Sequence, residues 1–215
     1  VKFIGDNFYP HQPYTQQLEQ MGVEILYGLS YQKNWKGWLH KNGQYLDVVF
    51  INRPHIAQHY IDAVKEYTEA KIIYNVCDLH FVREEREYRI TGNAERLESS
   101  RKWKKIELEI MKKSDVVFTL STDEQRILEE YLPKEKISIC PIFIYSDFSR
   151  TDFSRRKTQD LLFVGGFSHT PNIDAMNWFC EEIMPKILEK RPDIRLNIVG
   201  SNPPESVKRY ASEHI

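Results

Sequence analysis

The chain has 215 residues, of which 41% are hydrophobic and 13% aromatic. It is long for one α/β domain, short for two complete ones, and able to bury a real core. Thirty Lys and Arg against 31 Asp and Glu leave a formal charge of −1, which argues against a global pull toward nucleic acid or acidic lipid. No run of about 18 apolar residues and no signal-peptide pattern occurs, so the sequence reads as a soluble, cytoplasmic protein. Cys77, Cys140 and Cys180 come without CxxC or HExxH spacing and read as structural thiols of a reducing compartment.

Residues 1–4 predict a strand, 14–21 a short helix closed by Gly22, and 23–27 the next strand. Residues 31–40 hold Trp35 and Trp38 at helical spacing, read as a stripe over the sheet edge. Asn42-Gly43 marks a turn, residues 48–52 a buried strand, and 56–67 a helix with Ile56, Tyr60, Ala63, Val64 and Tyr67 on one face.

The strand at 71–77 delivers Asp78-Leu79-His80 at its carboxyl end. Ligands of open parallel sheets sit outside those ends, so Asp78 and His80 are candidate functional residues. Residues 83–113 are charge-dense. Trp103, Ile106, Ile110 and Met111 mark a helix face there, and most of the charges read as a solvated surface. Arg83 and Arg86, nearest the strand tip, are the exceptions, since a cation there can reach a phosphate or carboxylate.

Residues 115–120 predict a strand, and Ser121-Thr122-Asp123-Glu124 a capping box opening a helix that ends before Pro133. One more strand covers 136–141. The polar stretch 142–160 reads as a linker, with a domain boundary near Phe153 giving domains 1–152 and 153–215. Residues 161–165 then predict a strand, 170–190 a helix kinked at Pro185, 195–200 a strand and 204–212 a helix. Strands alternate with helices throughout, so the expected class is α/β with doubly wound parallel sheets.

Residues 161–178 concentrate the chemistry. An apolar strand runs into Gly165-Gly166, then Thr170-Pro171 opens a helix. Glycines let backbone N–H groups approach a ligand, and a helix start adds unpaired donors with partial positive charge. An anionic group, most often a phosphate, suits such a turn.

Segments spread over roughly residues 47–212, including YNVCDLHFVREERE, DVVFTLSTDEQRILEEY, LLFVGGF, HTPNIDAMNWF and RPDIRLNIVGSNPP, resemble family 4 retaining glycosyltransferases. The resemblance implies two Rossmann-like domains of the GT-B type facing a cleft, both incomplete in this chain, which reads as a piece of a longer protein. It implies a nucleotide-sugar donor, mostly on the second domain, and a glycan or glycolipid acceptor, mostly on the first. A glycolipid acceptor would place the protein at the cytoplasmic face of a membrane. No cofactor and no metal are expected. Gly165, Gly166, Phe167 and His169 match the turn facing the donor diphosphate. His80, with Asp78 beside it, matches a histidine entering the cleft in a positioning or transition-state role.

Two features depart from the family. The turn has no Arg or Lys, leaving His169 as its one cation. Three Glu pairs show the family's Glu-x7-Glu spacing, Glu87/Glu95, Glu181/Glu189 and Glu205/Glu213, each on or beside a predicted helix instead of the later loop that holds the donor. The fragment is therefore expected to be inactive alone. A non-catalytic Rossmann-like binding module is the alternative reading. The absence of GxGxxG after any predicted strand disfavours a dinucleotide-dependent oxidoreductase, and interleaved acids disfavour a nucleic-acid binder.

Overall fold

Every strand pairing among the described residues is parallel, as the alternation of strands and helices predicts. The computed structural model describes residues 1–141, 147, 152, 154 and 160–215. The chain divides into two units, Val1–Tyr145 and Ser146–Ile215. The boundary expected at Phe153 lies outside the described residues, as does most of the polar stretch around it.

In the first unit, β1 (Lys2–Phe3) pairs with β2 (Glu24–Ile25) across α1 (Tyr14–Gln20). Met21 closes α1, and Gly22 follows at φ +84°, the left-handed position that glycine takes at least cost. On α2 (Leu29–Asn42) the Trp35 ring lies 4.6 Å from Tyr60 of α3 (Pro54–Tyr67). The tryptophan stripe therefore reaches the next helix instead of only capping the sheet edge.

The main sheet has the order β3 (Val48–Asn52), β4 (Lys71–Asn75), β5 (Val116–Thr119), β6 (Ile137–Ile139). Its register aligns Ile51, Tyr74, Val117 and Ile137 in one row. Side chains alternate faces along a strand, so this row and Ile72 turn inward together. They meet Ala57, Ile61 and Val64 of α3, Ile110 and Met111 of α5 (Ala94–Lys113), and Leu128 of α6 (Thr122–Glu129). Each such aliphatic side chain gains roughly 1.5–3 kcal/mol from burial. On the other face Val48 and Phe50 are half-exposed, with Phe50 6.0 Å from Phe118.

The charge-dense stretch forms two helices. α4 (His80–Thr91) ends at Gly92, φ +69°, and Asn93 caps α5 by accepting the Glu95 N–H at 3.0 Å. The expected Ser-x-x-Glu cap opens α6 with one bond displaced: Ser121 Oγ accepts the Glu124 N–H at 3.2 Å, while Glu124 Oε2 accepts the N–H of Leu120, one residue before the cap, at 3.0 Å.

The second unit contains β7 (Leu161–Val164), α7 (Thr170–Trp178), a π-helical segment at Phe179–Ile183, α8 (Met184–Lys190), β8 (Leu196–Val199) and α9 (Glu205–Lys208). Pro185 lacks an N–H and its ring crowds the preceding turn. The break expected there takes the form of the wider π segment just before it. Phe167, Met176 and Val207 form one small core, and Cys180, Met184 and Leu196 a second. Burial pushes the Cys180 thiol pKa up, and neighbouring Glu181 adds to that. Among the described residues no helix is long and apolar enough to cross a membrane.

Candidate functional site

The carboxyl ends of β3 and β4 carry two non-glycine residues at positive φ, Arg53 (+65°) and Cys77 (+62°). L-residues with a Cβ rarely adopt this conformation, and it costs on the order of 1–3 kcal/mol. At Cys77 the chain reverses tightly, with the Asp78 N–H donating to the Val76 carbonyl at 2.8 Å. The two strand ends are tied by the Arg53 N–H on the Asn75 carbonyl (3.2 Å) and by Asn75 Nδ2 on Asn52 Oδ1 (2.8 Å). This reversal places His80 at the first position of α4 instead of on the strand tip.

The structure brings His80, Asp78 and Arg83 together, as the sequence suggests, and adds Glu107 from α5. His80 Nδ1 faces the Asp78 carbonyl at 3.3 Å, Asp78 Oδ1 at 3.7 Å and Glu107 Oε1 at 3.4 Å. The ring packs on Trp103, centroids 5.0 Å apart, and near His55 at 6.3 Å. Contact with the Glu107 carboxylate raises the imidazole pKa above its ordinary value. Burial opposes that rise, the Asp78 charge reinforces it, and Arg83 counters it. Arg83 is bound to Asp78 through Nη1 and Oδ2, so the Asp78 carboxylate is shared between a cation and the imidazole.

Arg86 is exposed and has no hydrogen bond or ion pair among the described residues, so no contact ties it to this cluster. Glu84 is buried between Arg96 (3.1 Å) and Arg83 (3.7 Å). Burial pushes its pKa up, but hydrogen bonds from Arg96 and Ser99 and the charges of Arg96 and Arg83 leave it below the usual value.

In the second unit β7 runs through Gly165-Gly166 into α7, capped at His169. Neither glycine has positive φ. Their role is close approach: a Cβ on Gly165 would lie 2.8 Å from Asn172 Nδ2 and 2.9 Å from the Phe163 ring. Asn172 Nδ2 donates to the Gly166 carbonyl at 2.8 Å, locking the turn to the helix start. The N–H groups of Gly166, Ser168 and Thr170 have no partner among the described residues. Phe167, grouped with the diphosphate contacts from sequence, instead buries its ring in the core and donates its N–H to Ser201 O at 2.9 Å. His169 is exposed and makes no side-chain cap.

Residues 158–215 match the family model of Glycosyl transferases group 1. The match takes in the glycine turn, α7 and β8, and it supports glycosyl transfer as the general activity. No curated protein matches the chain.

Four other cations of the matched region are engaged in ion pairs. Lys186, Lys208 and Arg209 pair with Glu182, Glu205 and Glu181 respectively, and Arg191 pairs with Asp193. Glu87 is bound by Arg96 at 3.0 Å. Thus Glu87, Glu181 and Glu205, each the first member of a Glu-x7-Glu coincidence, sit in surface ion pairs.

Glu107 and Arg53 escaped the sequence reading. Glu107 was masked by the surrounding charges, though it lies four residues after Trp103 and three before Ile110, on the apolar stripe itself. For Arg53 the sequence offers no signal beyond its place before Pro54 at a strand end.

Proposed function

We propose that the protein is a retaining glycosyltransferase that moves a sugar from a nucleotide-sugar to a glycan or glycolipid acceptor without a bound metal. The family match over residues 158–215 carries this reading. The N–H groups of Gly166, Ser168 and Thr170, without partners among the described residues, support it, because the donor's leaving diphosphate accumulates negative charge as its bond to the sugar breaks. The acceptor oxygen bonds to the anomeric carbon on the face the diphosphate leaves, and the acceptor proton passes to the departing phosphate. Gly165, Gly166 and His169 hold the diphosphate. His80 and Asp78 position the reacting groups, with Arg83 and Arg86 as acceptor or phosphate contacts.

The test, made on the intact protein because this fragment is expected to be inactive alone, is a panel of nucleotide-sugars and acceptors, followed by release of nucleoside diphosphate and by the anomeric configuration of the product. Consumption of one donor with retained configuration is expected. Product of inverted configuration, or binding to no nucleotide-sugar by calorimetry, would sink the proposal.

A further inference from the structure

Glu107 is completely buried on α5, yet its carboxylate serves the start of another helix. Oε1 accepts the His80 N–H at 3.0 Å and Oε2 accepts the Phe81 N–H at 3.1 Å. A buried carboxylate is costly unless its oxygens are bonded. The first N–H groups of a helix are unpaired donors with partial positive charge, so α4 supplies what Glu107 requires. Two turns earlier on the same face of α5, Ser100 Oγ donates to the Phe81 carbonyl at 2.8 Å, and a further turn back Arg96 reaches Glu84. The helix pair is therefore fixed in register by side chains at 96, 100 and 107.

That register determines the imidazole. Because Glu107 is anchored by the α4 backbone, its Oε1 is held 3.4 Å from His80 Nδ1. Trp103 covers the ring and His55 of α3 stands near its edge. Nε2 has no hydrogen-bond partner among the described residues. The charged and titratable groups facing the ring are Asp78 before α4, Arg83 on α4, Glu107 on α5 and His55 on α3.

We propose that Glu107 is the positioning residue of His80: by capping α4 it holds Nδ1 inward as a donor and leaves Nε2 to meet the ligand. What Nε2 meets there, an anionic phosphate or an acceptor hydroxyl, rests on the glycosyl-transfer reading. The placement of the ring does not.

The test is 15N and 13C NMR of the imidazoles in the full chain, with His80→Ala identifying the His80 signals by their loss. In the unsubstituted protein the neutral ring is expected as the Nδ1–H tautomer, and its titration midpoint above 6.5. In Glu107→Gln, which retains the shape and one acceptor for the cap but removes the charge, the midpoint should fall. An Nε2–H tautomer overturns the proposal, and so does an unchanged midpoint in a folded Glu107→Gln. If that variant does not fold, the tautomer of the unsubstituted protein decides alone. Neither readout depends on sugar transfer, so an intact protein that transfers no sugar, together with the Nδ1–H tautomer, sinks the enzyme reading while the positioning role stands.

Discussion

Gly200 sits directly against Gly165: a Cβ at position 200 would lie 1.9 Å from the Gly165 carbonyl oxygen. The turns that follow β7 and β8 are thus packed backbone to backbone, and Gly200 is fixed by space alone. Gly200→Ala must force the two turns apart, at a cost of roughly 1–3 kcal/mol or more. At Gly166 a Cβ would meet only Ser201 Oγ, at 3.3 Å, so Gly166→Ala should cost under about 1 kcal/mol. Denaturant melts of the two variants compare them directly, and equal losses would mean that the turns are not in contact.

The α6 cap predicts a coupled pair. Ser121→Ala removes an acceptor from the Glu124 N–H and should cost about 1 kcal/mol. Glu124→Ala leaves the Leu120 N–H unpaired. Because both bonds organise one helix start, the double variant should lose less than the sum of the single losses. Strict additivity in urea melts would show that the two bonds act independently.

Stability should respond to pH in opposite senses at two residues. The His80 pKa is raised in the folded protein, so its protonated form stabilises the fold. That contribution is complete below the unfolded value of about 6.5 and disappears as pH rises through the higher folded value. The Glu84 pKa is lowered. Its contribution is complete above about 4.5 and disappears as pH falls through the lower folded value. The stability gap between the parent and His80→Asn should therefore narrow on going from about pH 6 to pH 8, and the gap to Glu84→Gln on going from about pH 5 to pH 3. Gaps independent of pH would contradict both assignments.

Where local chemistry dictates structure, the sequence was sufficient. The Gly22 stop and the Ser121 cap appear as read, and so does the strand at Val48–Asn52, because each depends on a few adjacent residues; the burial expected along that strand is confined to Ile51, with Val48 and Phe50 half-exposed. The site was less legible. Asp78 and His80 were found through their position after a strand, but the Cys77 reversal and the Glu107 cap depend on which helix packs on which. Glu107 is 27 residues from His80 in sequence and 3.0 Å from its N–H, a relationship that no local pattern encodes. The burial of the Phe167 ring was illegible for the same reason: its neighbours Met176 and Val207 come from two different helices.

His80 carries the sharpest functional prediction. The ring has one nitrogen turned to Glu107 and Asp78, and the other lacks a partner among the described residues, so the substitution takes away the nitrogen proposed to meet the ligand. In the intact protein His80→Ala should cut sugar transfer by on the order of a hundredfold or more while leaving the fold intact. Asp78→Asn keeps the backbone carbonyl that faces Nδ1 and removes only the charge shared with Arg83, so its loss should be smaller. Turnover numbers on the best donor, with circular dichroism on the same samples, separate loss of chemistry from loss of fold. Near-normal turnover in a folded His80→Ala would remove His80 from the reaction, whatever holds its ring in place.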